Sequence, residues 1–274
     1  MYRLKSAFLL LLLLLGTVSG DVFADAGSAK SPNILFLSSY HAGFDTLPDQ
    51  TAGITQALAE RSWRFDIEYM DTKRLDTPHQ RGAFREHLAH KLAELPQYDV
   101  VLVGDDNALQ FVLEEREALF SGIPVVFFCI NDFDQARRAA QDPLMTGVVE
   151  QASLADNVRL AKTLEPDLTR MVGIVDDTLT GQGDRLQFEA LAPLFPDITF
   201  EVLNASHQPY EMLESTIATY GRGTSLLYLT MFEDSTGRMQ TIDQSVALLA
   251  RSARVPVYRA SVGGVGQGLL GGKM

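Results

Sequence analysis

Four apolar residues in a row, Ile34 to Leu37, break abruptly into two hydroxyls, a phenol and an imidazole at Ser38, Ser39, Tyr40 and His41. A run this short does not support a free helix and suits a strand buried on both faces, as in a parallel sheet. The same design recurs along the chain. Asp99 to Val103 ends in Gly104-Asp105-Asp106, Pro124 to Cys129 in Ile130-Asn131-Asp132, Met171 to Val175 in Asp176-Asp177, and Leu226 to Thr230 in Met231-Phe232-Glu233. Helical stripes separate these runs. Phe84, Leu88, Leu92 and Leu95 form one, Leu109, Val112 and Leu113 a second, and Leu154, Val158, Ala161 and Leu164 a third. Short connections between alternating strands and helices define a doubly wound parallel α/β sheet.

The alternation runs twice. Asn33 to residue 145 reads as one lobe and 146 to 260 as a second, with the polar Asp132 to Thr146 segment and the apolar step Gly147-Val148-Val149-Glu150 as the crossing between them. Further elements expected are helices over Asp49 to Arg61, Gln187 to Leu194, Glu211 to Tyr220 and around Ile242, Val246 and Leu249, and strands over Phe65 to Tyr69, Thr199 to Leu203 and Val255 to Tyr258. The last stretch, Ser261 to Met274, holds six glycines and no closing helix. It reads as the start of a return to the first lobe in a fold that is C-terminally incomplete.

Residues 1 to 24 read as a signal peptide: Arg3 and Lys5 precede the apolar run Ala7 to Leu15, and Val22-Phe23-Ala24 offers a cleavage site. An uncleaved membrane anchor is the alternative, although the run is short of the roughly 20 residues that span a bilayer. The expected location is periplasmic, free or membrane-tethered. Cys129 is the one cysteine, so an internal disulfide is excluded and stability rests on apolar cores. A formal charge of −12 argues against nucleic acid as a partner.

Ligands of parallel sheets sit beyond the carboxyl ends of the strands, so the polar residues there are the candidate contacts. From the first strand these are Ser39, Tyr40 and His41, with Ser38 as a cap or backbone tether and His41 open to a loop role satisfied by a carbonyl. Asp105 and Asp106 follow the next; one is expected to cap the helix, Asp106 by position, leaving Asp105 for a ligand. Asn131 and Asp132 are open between ligand contact and a turn, and Phe232 between ligand and core. The glycines Gly263, Gly264 and Gly266 allow a close backbone approach but form no phosphate loop, because no lysine-serine or lysine-threonine pair follows.

The segments Ile34 to His41, Gly104-Asp105-Asp106-Asn107-Ala108-Leu109, Pro124 to Phe127, Asn131-Asp132, Thr146 to Glu150, Asp177-Thr178 and Val255 to Tyr258 follow the order and spacing of the ABC-transporter substrate-binding protein family. The chain resembles most the branch that serves as extracytoplasmic sensor modules of bacterial histidine kinases and diguanylate cyclases. The resemblance implies a type I periplasmic-binding fold that holds a small molecule between two lobes. It implies a family aspartate-threonine-glycine turn at Asp177, Thr178 and Gly181, with a plain helix cap as the alternative. It also implies a final helix and strand returning to the first lobe, absent from this sequence.

The function this supports is a small-molecule binding module, the sensory input of a membrane signalling protein or, alternatively, the substrate-binding component working with an ABC permease. Acidic and aromatic candidates suit an amino acid or amine. A metal-dependent hydrolase, with Asp105, Asp106, Asp176 and Asp177 around magnesium, is the competing class. Those residues are divided between two lobes, and no nucleophile elbow, zinc motif or P-loop accompanies them. The expectation is therefore no catalytic residue, no metal and no cofactor.

Overall fold

The computed structural model describes residues 31–59, 62–261 and 263–272, so the expected signal peptide lies outside the described residues. Short apolar runs become two five-stranded sheets. The first contains β1 (Asn33–Ser38), β2 (Arg64–Tyr69), β3 (Val100–Gly104), β4 (Val125–Ile130) and β5 (Met145–Val149) in the order β2-β1-β3-β4-β5. The second contains β6 (Arg170–Val175), β7 (Thr199–Asn204), β8 (Thr224–Tyr228), β9 (Val257–Arg259) and β10 (Leu270–Gly271) in the order β7-β6-β8-β9-β10. The two orders are the same, and every strand pair is parallel. β1 and β8 are buried along their whole length, as centrally placed strands covered on both faces must be.

Helices connect the strands. They are α1 (Leu47–Ala57), α2 (Pro78–Glu94), α3 (Asp106–Glu114), α4 (Arg116–Leu119) and α5 (Phe133–Ala139) in the first half, and α6 (Leu154–Leu164), α7 (Leu179–Glu189), α8 (Tyr210–Ile217) and α9 (Ile242–Ser252) in the second. On one face of the first sheet, Leu35, Leu37, Val101, Val103 and Phe127 pack with Leu88 of α2 and Leu109 and Val112 of α3. On the other face Phe36 meets Phe65 and Phe128, and Val126 and Phe128 stay partly exposed. The second sheet is filled on both faces. Val172, Ile174 and Leu226 pack with α8 and α9, while Met171, Leu227 and Tyr258 pack with α6 and Phe188 of α7.

Several boundaries differ from the sequence reading. The polar segment after Asp132 forms α5, whose short length leaves little room for a period to show. Met145–Val149 is the fifth strand of the first sheet, paired with β4, where the sequence suggested a crossing. The glycine-rich stretch adds β10 beside β9 in the second sheet; over the described residues it does not turn back to the first. Helix α7 begins at Leu179, eight residues before the apolar period becomes visible, because Thr178 caps it and glycines occupy its first turns. Leu95 and Leu164 end their stripes 39% and 59% exposed, since each lies at the last turn or cap of its helix. No described helix is long and apolar enough to cross a membrane.

Gly173, on the central strand β6, has no room for a side chain: an added Cβ would stand 2.7 Å from Cε1 of Phe188. Gly173→Ala should destabilise the fold by about 1–3 kcal/mol through overpacking. Phe188→Leu in the same chain should recover part of that loss. Urea unfolding of the two single variants and the double variant checks this, and strictly additive losses would refute it.

Candidate functional site

In both sheets the strand order reverses beside the first strand, between β1 and β3 and between β6 and β8. Connections leave such a switch point in opposite directions, so a crevice opens at the strands' carboxyl ends. The two crevices face one another. Between them lies a cleft of about 570 Å³, bordered by Tyr40 from the end of β1, Asp105 from β3, Thr180 and Asp184 from α7, and Thr230 and Phe232 beyond β8. Its lining is sharply biased. Asp49, Asp105, Glu150 and Asp184 supply carboxyls, Tyr40, Phe44, Tyr228 and Phe232 supply rings, and no lysine or arginine stands among its described lining residues.

Asp105 is the N-cap of α3, its Oδ1 accepting the Asp106 amide at 3.1 Å, in a backbone conformation (φ 77, ψ 165) that side chains ordinarily avoid. Across the cleft Thr180 Oγ1 donates to the same carboxylate at 3.2 Å, and Lys73 Nζ donates to Thr180 Oγ1 at 3.3 Å. The Lys73 ammonium lies 4.3 Å from the centre of the Phe232 ring and 5.1 Å from that of Tyr40. One buried lysine thus touches residues of both lobes. Phe232 is held in place from below, its amide donating to Asp176 Oδ2 at 2.6 Å.

A second bridge is made by Asn131 of the first lobe, whose Nδ2 donates to Asp184 Oδ1 at 3.0 Å, while Thr230 Oγ1 donates to Asp184 Oδ2. Close approach here depends on α7 carrying small residues. A Cβ on Gly183 would come within 2.8 Å of the Asn131 carbonyl carbon, and one on Gly181 within 2.3 Å of the Asp176 carbonyl oxygen.

The enclosure shifts the acids. Burial pushes the Asp184 carboxyl up to about 7, with the Glu150 charge adding to it and the Thr230 and Asn131 donors opposing it. Glu150 is raised by desolvation within the cleft and by Asp105. Asp105 and Asp106 are also raised by burial; Lys73 pulls Asp105 back, and the charge of Asp105 pushes Asp106 further up. Burial and the neighbouring Asp105 hold the Tyr40 phenol well above its usual range. The Cys129 thiol, also in the cleft wall, is raised to about 12 by burial, then by Asp105 and Glu150, which leaves it a poor nucleophile.

Of the residues expected to form a site, Tyr40, Asp105, Asn131 and Phe232 meet in the cleft. The others do structural work. Ser39 is fully buried, donating to the Gly104 carbonyl and accepting the Ala108 amide. Asp106 does not cap: its Oδ1 accepts the Asn131 and Asp132 amides, tying β3 to the end of β4, so the two aspartates exchange the capping role foreseen for them. Asp132 caps α5, and Thr178 caps α7 by accepting the Gly181 amide. Asp177 and Thr178 border a separate cavity of about 660 Å³, which first-lobe residues such as Thr72 and Asn107 also line, and Asp177 accepts from Asn204. His41 stands beside a smaller neighbouring cavity, its Nδ1 accepting the Gly43 amide where a carbonyl partner was foreseen. Lys73, Thr180, Asp184 and Glu150 were not anticipated. Lys73 follows a strand end like the others, but in a sequence its burial does not show; Thr180 and Asp184 sit inside a helix whose start carried no apolar signal.

No family model matches the chain, and no curated protein does. Solved structures do. A domain of an ABC system from Streptococcus pneumonia, crystallised with L-Trp, is 16% identical with a TM-score of 0.61 over 88% of this chain and 77% of that one. A conserved domain protein from Vibrio cholerae gives 14% and 0.62 over the same shares. A substrate-binding protein with adhesive properties from Clostridium difficile, in its ligand-free, open structure, gives 14% and 0.59 over 88% and 79%. This is the type I periplasmic-binding fold. At such identities the likeness extends to the architecture and not to the residues of the cleft.

The raised Asp184 carboxyl gives a pH test. Its folded-state pKa of about 7 stands above the ~3.9 of an unfolded aspartate, so the native state holds the proton more tightly. That contribution to stability is complete below about pH 4 and is lost as pH rises through 7. The urea midpoint of the ligand-free protein should fall between pH 5 and 8, and Asp184→Asn should flatten the slope. An unaltered slope in the variant would place the linkage on other groups.

Proposed function

We propose that this chain is an extracytoplasmic small-molecule binding module that takes a solute bearing a cationic group. The observation that carries the reading is the cleft's lining: four carboxyls and four aromatic rings around about 570 Å³, with no basic side chain among the described lining residues. Cavities of this size suit small solutes. Asp105 and Asp184 are buried beside the more exposed Asp49 and Glu150, and Lys73 is the one cation near Asp105, so the acids are short of positive charge. A ligand ammonium would supply it while resting against Phe44 and Phe232. The fold supports the same reading, since solved neighbours include a substrate-binding protein and an ABC domain in complex with L-Trp. An amine or an amino acid meets these requirements.

Within this reading the resemblance to sensor modules favours a sensory input, in which lobe closure on the solute is passed to a membrane signalling partner. Delivery to an ABC permease is the alternative. A longer gene with a hydrophobic span of roughly 20 residues beyond the fold marks the sensor, and an adjacent permease gene the transporter. Binding is expected without turnover.

A thermal-shift screen against amines, amino acids, nucleosides and small acids tests the binding role, because a ligand selective for the native state raises the apparent melting temperature. Hits should concentrate among cations, and Asp184→Asn or Phe232→Ala should weaken them by roughly tenfold or more, the scale of one lost charged or ring contact. A well-folded sample that answers only to anions or to neutral sugars would overturn the assignment.

A further inference from the structure

The cleft does not end at Phe44 and Phe232. These two rings, 6.0 Å apart between centroids, together with Ile242, also border a smaller cavity of about 190 Å³ on the far side. Its chemistry is the reverse of the cleft's. His41, Lys73 and Arg74 border it, with Asp45 as its single acid among the described residues. Three of its groups have hydrogen-bonding capacity to spare. Lys73 is only 5% exposed, donates to a hydroxyl, and forms no ion pair among the described residues. Gln240 has its Nε2 buried with no acceptor among them. His41 uses Nδ1 to accept the Gly43 amide, which leaves Nε2 as the nitrogen able to donate. Arg74 is bound through Nε and Nη2 to Asp71 and contributes less. The first turn of the eleven-residue α9, at Thr241 and Ile242, closes the chamber with the positive end of its dipole.

A buried ammonium whose neighbouring carboxylate, Asp105, is reached only through Thr180, and a buried amide without an acceptor, would both gain from the same thing, a directly bound anion. We propose that this chamber receives the carboxylate of the ligand whose cationic group occupies the acidic cleft, so that the solute is a zwitterion laid across the Phe44–Phe232 pair. The inference rests on the binding role above and adds the second charge. Lys73 is the pivot. From its position between the Phe232 and Tyr40 rings it faces the chamber directly and reaches the cleft through Thr180 and Asp105. A zwitterion would therefore satisfy the acids on one side of the rings and the unpaired donors on the other.

Isothermal titration with matched probes tests this on the full chain: phenethylamine, 3-phenylpropanoate and phenylalanine as one set, pentylamine, hexanoate and 6-aminohexanoate as another. In at least one set the amino acid should bind roughly tenfold or more tighter than the amine, the gain expected of one charge-assisted contact. The ratio of the two affinities should fall toward one in Gln240→Leu and in Lys73→Met, and should be retained in Lys73→Arg. A ratio that is insensitive to position 240 in a folded variant overturns the proposal even if Lys73→Met fails to fold. Amines that bind as tightly as their amino acids overturn it while leaving the cation-binding role standing. Amine binding that tightens on adding acetate also overturns it, because the chamber would then take a separate anion. Absence of binding by both amines and both amino acids, in a sample shown to be folded by circular dichroism, would overturn this inference together with the binding role on which it rests.

Discussion

Everything at the cleft depends on one constraint: all the strands of both sheets run parallel. Parallel strands deliver their carboxyl ends to one edge of a sheet, and the helices that follow present their amide-rich N-termini to that same edge. Acidic side chains are favoured there. Asp105 and Asp132 cap α3 and α5 directly, and Asp176 holds the turn around the cap of α7. Turning two such edges toward each other concentrates carboxyls in a space too confined to hydrate them fully. The charge pattern of the cleft is thus partly a by-product of helix capping, and what is specific to this chain is which acids exceed the capping requirement.

Asp184 and Glu150 are those acids. Neither caps a helix, and Asp184 is a buried residue in the middle of α7. Its two donors, Asn131 and Thr230, are neutral, so they satisfy its oxygens without cancelling its charge. Asp105 differs. Lys73 lowers the cost of its charge through Thr180, and Asp106 spends one oxygen on two backbone amides while its other oxygen has no partner among the described residues, as suits a carboxyl whose pKa is raised. Asp184, Asp105 and Asp106 therefore differ in what opposes their desolvation: neutral side-chain donors for the first, the nearby Lys73 charge for the second and two backbone amides for the third.

The fold was legible because its signal is local. Ile34 to Leu37 and Leu226 to Tyr228 announce buried strands by composition alone, and the stripes at Leu88 and Val158 announce the helices that cover them. Where the physics was not local, the reading failed. β5 is exposed at four of its five residues and owes its existence to the edge of β4, not to its own apolarity. Helix α7 opens with glycines that a propensity argument counts against it, yet those glycines are what let Asn131 and Asp176 come within contact distance. The candidate site divided in the same way. Strand ends gave Tyr40, Asp105, Asn131 and Phe232, whereas Lys73 and Asp184 became visible only through burial, a property of the assembled lobes.

The conformation of Asp105 links these local facts to closure. A non-glycine residue at φ 77 and ψ 165 carries strain on the order of 1–3 kcal/mol, and the residue before it, Gly104, packs so tightly that a Cβ would stand 2.9 Å from the Phe36 ring. The strand must therefore end in a fixed direction, and the Asp105 carboxylate is aimed before anything binds. Its partner Thr180 comes from the other lobe, and so does the Phe232 ring over Lys73. Separating the lobes would take Thr180 and Phe232 from Asp105 and Lys73 and expose these two side chains to water. Bringing them together restores a desolvated cation between two rings and a strained carboxylate beneath it. On the binding role proposed above, a solute that neutralised Asp184 and Glu150 would lower the repulsion between them, and closure and charge recognition would then draw on the same set of interactions.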